Sequence, residues 1–341
     1  MKILILTDLR GAFWSSVKYK GAYLDTNIIA AYFTEKGAFV QIRRLADIDF
    51  SKDDYFGWFV LYHSTEDPEL LYHDFIEDIL LGLKNQGAIL VPRFEYFRAH
   101  HNKIFMEILR SNSKNPDFCA VRSRVFGTFE EYSDAVNKKE LPFPHVVKSG
   151  AGSCSANVLK ISTTDDIKKV KSIMRHFSPK YMIKEFLKPY FKKTFPSYIP
   201  QSACRRKIIV QNFVPYLSGD YKILVFGGKY YVLSRQVRPN DFRASGSGIF
   251  SFPDKVNENL LKFTQSVYEY FGVPVISCDI AEKAGKCYLI EFQFVSFGTY
   301  TLLKSPYYFC QENGKWIKKD GHSNLETEFA RSFWEYLQKQ N

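Results

Sequence analysis

Residues 275–294 read Val275-Ile276-Ser277-Cys278-Asp279-Ile280-Ala281-Glu282-Lys283-Ala284-Gly285-Lys286-Cys287-Tyr288-Leu289-Ile290-Glu291-Phe292-Gln293-Phe294, and this stretch decides the fold. Two apolar β patterns, 275–281 and 287–294, flank a polar five-residue link whose Ala-Gly centre suits a tight hairpin. A turn centred near Ala284 and Gly285 sets Asp279 roughly opposite Glu291. Strand side chains alternate, so Gln293 shares a face with Glu291, while Phe292 and Phe294 point to the other side, toward a core. Two carboxylates and an amide oxygen thus converge on one patch. Like charges facing each other across a sheet destabilise it, and burial beside aromatics raises that cost. A hard cation resolves the conflict: Mg²⁺ prefers oxygen ligands and commonly joins one or two carboxylates to nucleotide phosphates. The plain alternative is a solvated hairpin carrying two unrelated acids.

Working outward, 341 residues suffice for two domains or one elaborated one. With 45% hydrophobic and 17% aromatic residues against 24% charged, a disordered chain is excluded. The net charge of +11 favours an acidic partner without choosing among nucleotide, nucleic acid, anionic lipid and acidic glycan. Lys2–Thr7 is too short an apolar run for a signal peptide, and no long uncharged apolar stretch follows, which reads as a soluble, cytoplasmic protein. Six cysteines scattered singly, with no CxxC spacing, suit packed thiols rather than disulfides or zinc.

Upstream, strand patterns at 2–7, 38–43, 57–62 and 88–91 alternate with helical patterns at 23–35 and 68–84. That is the signature of a parallel sheet flanked by helices, closing in the turn-rich Ser111-Asn112-Ser113-Lys114-Asn115-Pro116. Beyond it the pattern changes to α+β. Strand His145–Lys148 enters the small-residue loop Ser149-Gly150-Ala151-Gly152-Ser153, and residues 206–217 and 221–234 read as strands before a helix at 258–271. Lys148 next to glycines suits phosphate, although the spacing fits neither a Walker A loop nor a Rossmann fingerprint. Arg235, Arg238 and Arg243 beside a Gly-Ser turn suit anion recognition.

Taken in order, these residues resemble the ATP-grasp superfamily, from about Lys103 to Gln293. Asn102-Lys103 before an apolar helix resembles the start of the family's small subdomain. Val146-Val147-Lys148-Ser149-Gly150-Ala151-Gly152 resembles its lysine strand and phosphate loop. Ile209-Val210-Gln211-Asn212-Phe213-Val214-Pro215 resembles the hinge whose backbone contacts adenine, and Asp220-Tyr221-Lys222 the Asp-Tyr-Arg strand that follows. Four departures stand out: Gln293 replaces asparagine, Lys222 replaces arginine, Ser245 stands where asparagine is more usual, and the phosphate loop is less glycine-rich than in many members.

The resemblance implies an α/β N-terminal domain (1–115), then an ATP-grasp small subdomain (116–205) and a C-terminal antiparallel lobe (206–341). It implies that Asp279, Glu291 and Gln293 hold Mg²⁺, and that Lys103, Lys148, Ser149, Gly150, Gly152, Gln211, Asn212, Phe213, Val214 and Asp220 bind ATP. Arg243, helped by Arg235, is the catalytic stabiliser of the transferring phosphoryl group and the later oxyanion. The implied reaction activates a carboxylate as an acylphosphate for attack by an amine of an amino acid, peptide or acidic sugar. A kinase with a hydroxyl acceptor and a non-catalytic nucleotide-binding regulator are the alternatives. Nucleic acid is not an expected partner, since no recognition helix is apparent.

Lys180–Lys207 carries eight basic residues against the single Glu185, so +7 of the +11 sits in one segment. Phe186, Tyr190, Phe191, Phe195 and Tyr198 interleave with them, and three prolines prevent one long helix. Such a mixture suits an anionic membrane surface, making the protein peripheral, or an acidic polymer; the plain alternative is a solvated lid with packed aromatics.

Overall fold

The computed structural model describes residues 1–14, 23–65, 67–150, 157–175, 180, 183–185, 187–188, 202–238, 241, 243–244 and 246–340. In chain order the first elements are β1 (Lys2–Thr7), α1 (Thr26–Glu35), β2 (Phe39–Arg44), β3 (Phe59–Leu61), α2 (Leu71–Asn85), β4 (Ile89–Val91), α3 (Phe94–His101) and α4 (Lys103–Asn112). Then come β5 (Ser123–Phe126), α5 (Phe129–Asn137), β6 (His145–Ser149), β7 (Val158–Ile161), α6 (Ile167–Met174) and β8 (Ile208–Asn212). The remainder is β9 (Gly219–Phe226), β10 (Lys229–Gln236), β11 (Phe250–Ser251), α7 (Glu258–Phe271), β12 (Val275–Lys283), β13 (Lys286–Gln293), α8 (Tyr300–Lys304), β14 (Tyr307–Glu312), β15 (Lys315–Asp320) and α9 (Leu325–Gln338).

Two compact units divide this chain. One comprises residues 1–101, 113–118 and 217–341, the other 102–112 and 119–216. The sequence reading instead cuts the chain into three successive segments at 115 and 205. The units interleave in sequence: α4 lies on the β5–β8 sheet, residues 113–118 return briefly to the first unit, and the chain rejoins it for good from Leu217.

The first unit opens on a parallel sheet in the order β2-β1-β3-β4. Ile3 to Leu6 are fully buried, as expected of a central strand in a parallel sheet with both faces covered. Its second sheet is antiparallel, in the order β13-β12-β9-β10-β14-β15, with β11 on β10. Residues 221–234, read from sequence as one strand, are a hairpin. Gly227 and Gly228, at φ 50° and 80°, turn the chain back between β9 and β10 in a conformation that costs glycine little. Likewise 206–217 shortens to β8, because Pro215 cannot extend a ladder.

The second unit is built on the antiparallel sheet β5-β8-β6-β7. Tyr132 and Val136 of α5, Val170 and Met174 of α6, and Val147 and Val210 of the sheet form its core. Of the basic aromatic segment only a few residues are described. Lys188 pairs there with Glu185, whereas Tyr190, Phe191, Phe195 and Tyr198 lie outside the described residues. Among the described residues, no helix is long and apolar enough to cross a membrane. Cys204, Cys278 and Cys287 are buried free thiols, and burial pushes the Cys287 thiol up to about 11.

Candidate active site

The hairpin read from sequence is present, and a bulge sets its register. Lys283 pairs with Lys286 across Ala284 and Gly285, both at positive φ (49° and 76°), the geometry that suits the right-handed twist of the flanking strands. A regular ladder from that turn brings Ile290 opposite Asp279. Instead the register shifts between Asp279 and Ile280, so that Asp279 pairs with Glu291 and Ser277 with Gln293. Phe292 and Phe294 take the opposite face. Phe294 stacks on Tyr96 of α3 at 4.2 Å between centroids, and both phenylalanines contact Phe271 of α7. Such pairs add about 0.5–1.5 kcal/mol each beyond area burial. This packing fixes which way Glu291 and Gln293 point.

Pairing extends the polar face across two more strands. Asp279 faces Lys222 on β9, and Asp220 on β9 faces Arg235 on β10. Alternation places Asp220, Lys222, Arg235, Ser277, Asp279, Glu291 and Gln293 on one side of the sheet. Arg235 forks onto Asp220, with Nε 2.6 Å from Oδ1 and Nη2 2.9 Å from Oδ2, and the same Nη2 lies 2.8 Å from Asp279 Oδ2. Lys222 Nζ donates to Ser277 Oγ at 3.0 Å and lies 3.5 Å from Asp279 Oδ1. Gly219 permits this approach, because a Cβ there would run into the Arg235 carbonyl.

The electrostatics follow from burial. Asp220 is pushed up to about 6 by desolvation and by the neighbouring Asp279 charge, which together outweigh the pull of Arg235. Burial works against the Arg235 charge, but Asp279 and Asp220 outweigh it and hold the guanidinium above its ordinary value. The sequence reading asked for a cation beside Asp279, and the fold supplies two of its own. Asp279, Glu291 and Gln293 still form an all-oxygen donor set from adjacent strands, which by type fits Mg²⁺. No group of three His, Cys, Asp or Glu side chains among the described residues has metal-holding geometry. Any metal here depends on the Gln293 amide, on water or on a ligand's oxygens.

Arg243 lies outside the regular strands and forks onto Asp241 through Nε at 3.0 Å and Nη2 at 2.8 Å. In the second unit, Lys103 opens α4 and its N–H donates to the Gly150 carbonyl at 2.9 Å, while Lys148 and Ser149 close β6. Gln211 is buried and turned inward. Asn212 is exposed with its N–H on the Arg122 carbonyl, Phe213 lies under Lys160 Nζ at 4.2 Å, and Val214 is half-buried. Gly152 and Ser245 lie outside the described residues.

Neither the family models nor the curated proteins contain a match to this sequence. Solved structures do match in fold. D-cycloserine synthetase DcsG is similar over 99% of this chain and 100% of its own, at 11% identity and a TM-score of 0.54. The macrocyclase MdnC from Microcystis aeruginosa, bound with precursor peptide MdnA, is similar over 98% and 100%, at 9% identity and 0.51. The ATP-grasp ligase PsnB, complexed with minimal precursor, Mg and ADP, covers 98% of each chain at 9% identity and 0.50. The chain has an ATP-grasp fold. At these identities the likeness is one of architecture.

Within the ATP-grasp architecture, sequence reasoning missed a second polar cluster, at the carboxyl end of β3 in the first unit. Ser64 Oγ lies 3.1 Å from both His73 Nδ1 and His101 Nε2, and its N–H donates to Ser296 Oγ at 2.9 Å. Ser296 follows the metal-candidate strand and sits at φ 49°, a strained value for a non-glycine residue. His63 Nδ1 faces the Ser64 carbonyl at 3.2 Å, and its Nε2 is buried without a hydrogen-bond partner among the described residues. No local spacing signals this cluster, because its members come from β3, α2, α3 and the loop after β13.

Proposed function

We propose that the protein is an ATP-dependent carboxylate–amine ligase, acting on an amino acid or peptide carboxylate. The observation that carries the reading is the juxtaposition of Asp279, Glu291 and Gln293 with Lys222 and Arg235 on one sheet face of an ATP-grasp fold. The solved neighbours support it: one is named a synthetase, one a macrocyclase held with a peptide, and one a ligase held with Mg and ADP.

In this reading Asp279, Glu291 and Gln293 hold Mg²⁺, which supplies charge neutralisation at the phosphates. Lys103 and Lys148 bind the α- and β-phosphates, with Ser149 and Gly150 beside them. The hinge backbone from Gln211 to Val214 receives the base. A substrate carboxylate oxygen attacks the γ-phosphorus and ADP departs. An amine then attacks the acyl carbon of the resulting acylphosphate, loses its proton, and inorganic phosphate leaves. Arg243 and Arg235 stabilise the charge that develops in both steps. The acceptor is assigned to the carboxyl ends of β1 and β3, where the strand order β2-β1-β3-β4 reverses direction and open α/β sheets commonly bind ligands. Asp8, His63 and Ser64 stand at those two ends.

ADP release across a panel of carboxylates, with and without amines, tests the assignment. Amine-dependent turnover that disappears in Glu291→Ala or Arg243→Ala, with the fold retained by circular dichroism, is the expected result. Turnover with an alcohol alone identifies a phosphotransferase instead, and tight ATP binding without turnover a regulator.

A further inference from the structure

Helix α4 carries a connection that neither sequence motifs nor the reading above assigns. Its first residue, Lys103, donates its N–H to the Gly150 carbonyl at 2.9 Å, and Gly150 in turn donates its N–H to the Lys207 carbonyl at 2.8 Å, just before β8. The helix start, the phosphate loop and the base of the hinge strand are therefore joined by consecutive backbone hydrogen bonds. One turn along the same helix face, Glu107 is 2% exposed. Its Oε1 accepts from Gln211 Nε2 at 3.1 Å, its Oε2 accepts from Ser123 Oγ at 2.5 Å, and it pairs with the equally buried Arg110. Arg110 is held in turn through its carbonyl, 3.5 Å from Cys119 Sγ.

A buried ion pair of this kind costs several kcal/mol of desolvation per ion, and well-packed apolar residues would stabilise the unit as well or better. What the pair supplies here is a directional hook. Gln211 spends its side-chain amide on Glu107, which ties the hinge strand to α4. Resting on the nucleotide-binding reading, we propose that Glu107 is a positioning residue, which fixes the hinge strand relative to Lys103 and the Gly150 loop and so sets the distance between base and phosphate contacts. Misplacements of about 1 Å in such positioning contacts cost up to about a hundredfold.

Binding of a fluorescent N-methylanthraniloyl ATP analogue with Mg²⁺ to the full chain tests this. Gln211→Leu cuts the hook at one end. The pair substitution Glu107→Leu with Arg110→Met cuts it at the other, since leucine offers Gln211 no acceptor, and leaves no buried charge uncompensated. Each is expected to weaken analogue binding about tenfold or more, while the melting midpoint of the nucleotide-free protein stays within a few degrees of wild type. Combining them is expected to add little, since both remove one link. Variants that bind as wild type does, or combined losses that multiply, overturn the positioning role. If the pair substitution fails to fold, Gln211→Leu and Ser123→Ala decide the matter. Wild-type protein that binds no analogue overturns the nucleotide reading itself, and the positioning role with it.

Discussion

Asp279 and Lys222 face each other across β12 and β9, with the ammonium 3.5 Å from one carboxylate oxygen while Arg235 holds the other at 2.8 Å. A carboxylate read as a metal ligand thus already has two protein cations. A divalent ion at Asp279 would have to compete with both.

Lys222→Met removes the weaker of the two contacts. Arg235 keeps Asp279 compensated, so the expected stability loss is about 1 kcal/mol, in the range of a single hydrogen bond. Urea unfolding measures it, and a loss several times larger contradicts the division of labour between the two cations.

Arg235→Met has a harsher expected outcome. Asp220 and Asp279 are then left partly buried without their shared guanidinium, and breaking such an arrangement costs about 3–5 kcal/mol. Adding Asp220→Asn removes one stranded charge and is expected to recover part of the loss. Denaturant midpoints of the single and double variants check this.

At the hairpin turn, Ala284 holds φ 49°. Ala284→Gly removes a left-handed strain of about 1–2 kcal/mol, offset in part by the greater freedom of glycine in the unfolded chain, and is expected to stabilise the protein by about 0.5–1 kcal/mol. A lowered melting midpoint refutes the assignment of strain.

His73 supplies a pH signature. Burial, then the neighbouring His101, depresses it to about 3, and burial also lowers His63 and His145. A depressed histidine leaves the folded state binding fewer protons than the unfolded one at any pH between its folded value and 6.5. Stability is therefore complete above pH 6.5 and is lost progressively as pH falls toward 3. Melting midpoints at pH 7.5, 6 and 5 should decline in that order, and His73→Phe, which keeps the stack on Phe97, should flatten the decline. Asp166, depressed to about 2, contributes only at lower pH.

Much of the fold was legible because it is written in local pattern. The apolar run of β1, the two-residue Ala284-Gly285 turn and the alternation of β13 each depend on neighbours in sequence. The single-strand reading of 221–234 passed over Gly227-Gly228, which interrupts two apolar runs and is itself a hairpin signal. The membrane-surface reading of 180–207 falls largely outside the described residues.

Local pattern settles the alternation of strands and helices, the hairpin at 275–294 and the face shared by Glu291 and Gln293. Tertiary structure alone decided what stands beside them. The bulge that brings Glu291 opposite Asp279, the Lys222 and Arg235 contacts with Asp279, and the turning of Gln211 toward Glu107 are pairings between segments from 12 to 104 residues apart. Period and turn chemistry act over a few residues. Register between distant strands is settled only when both faces of a sheet have found their partners.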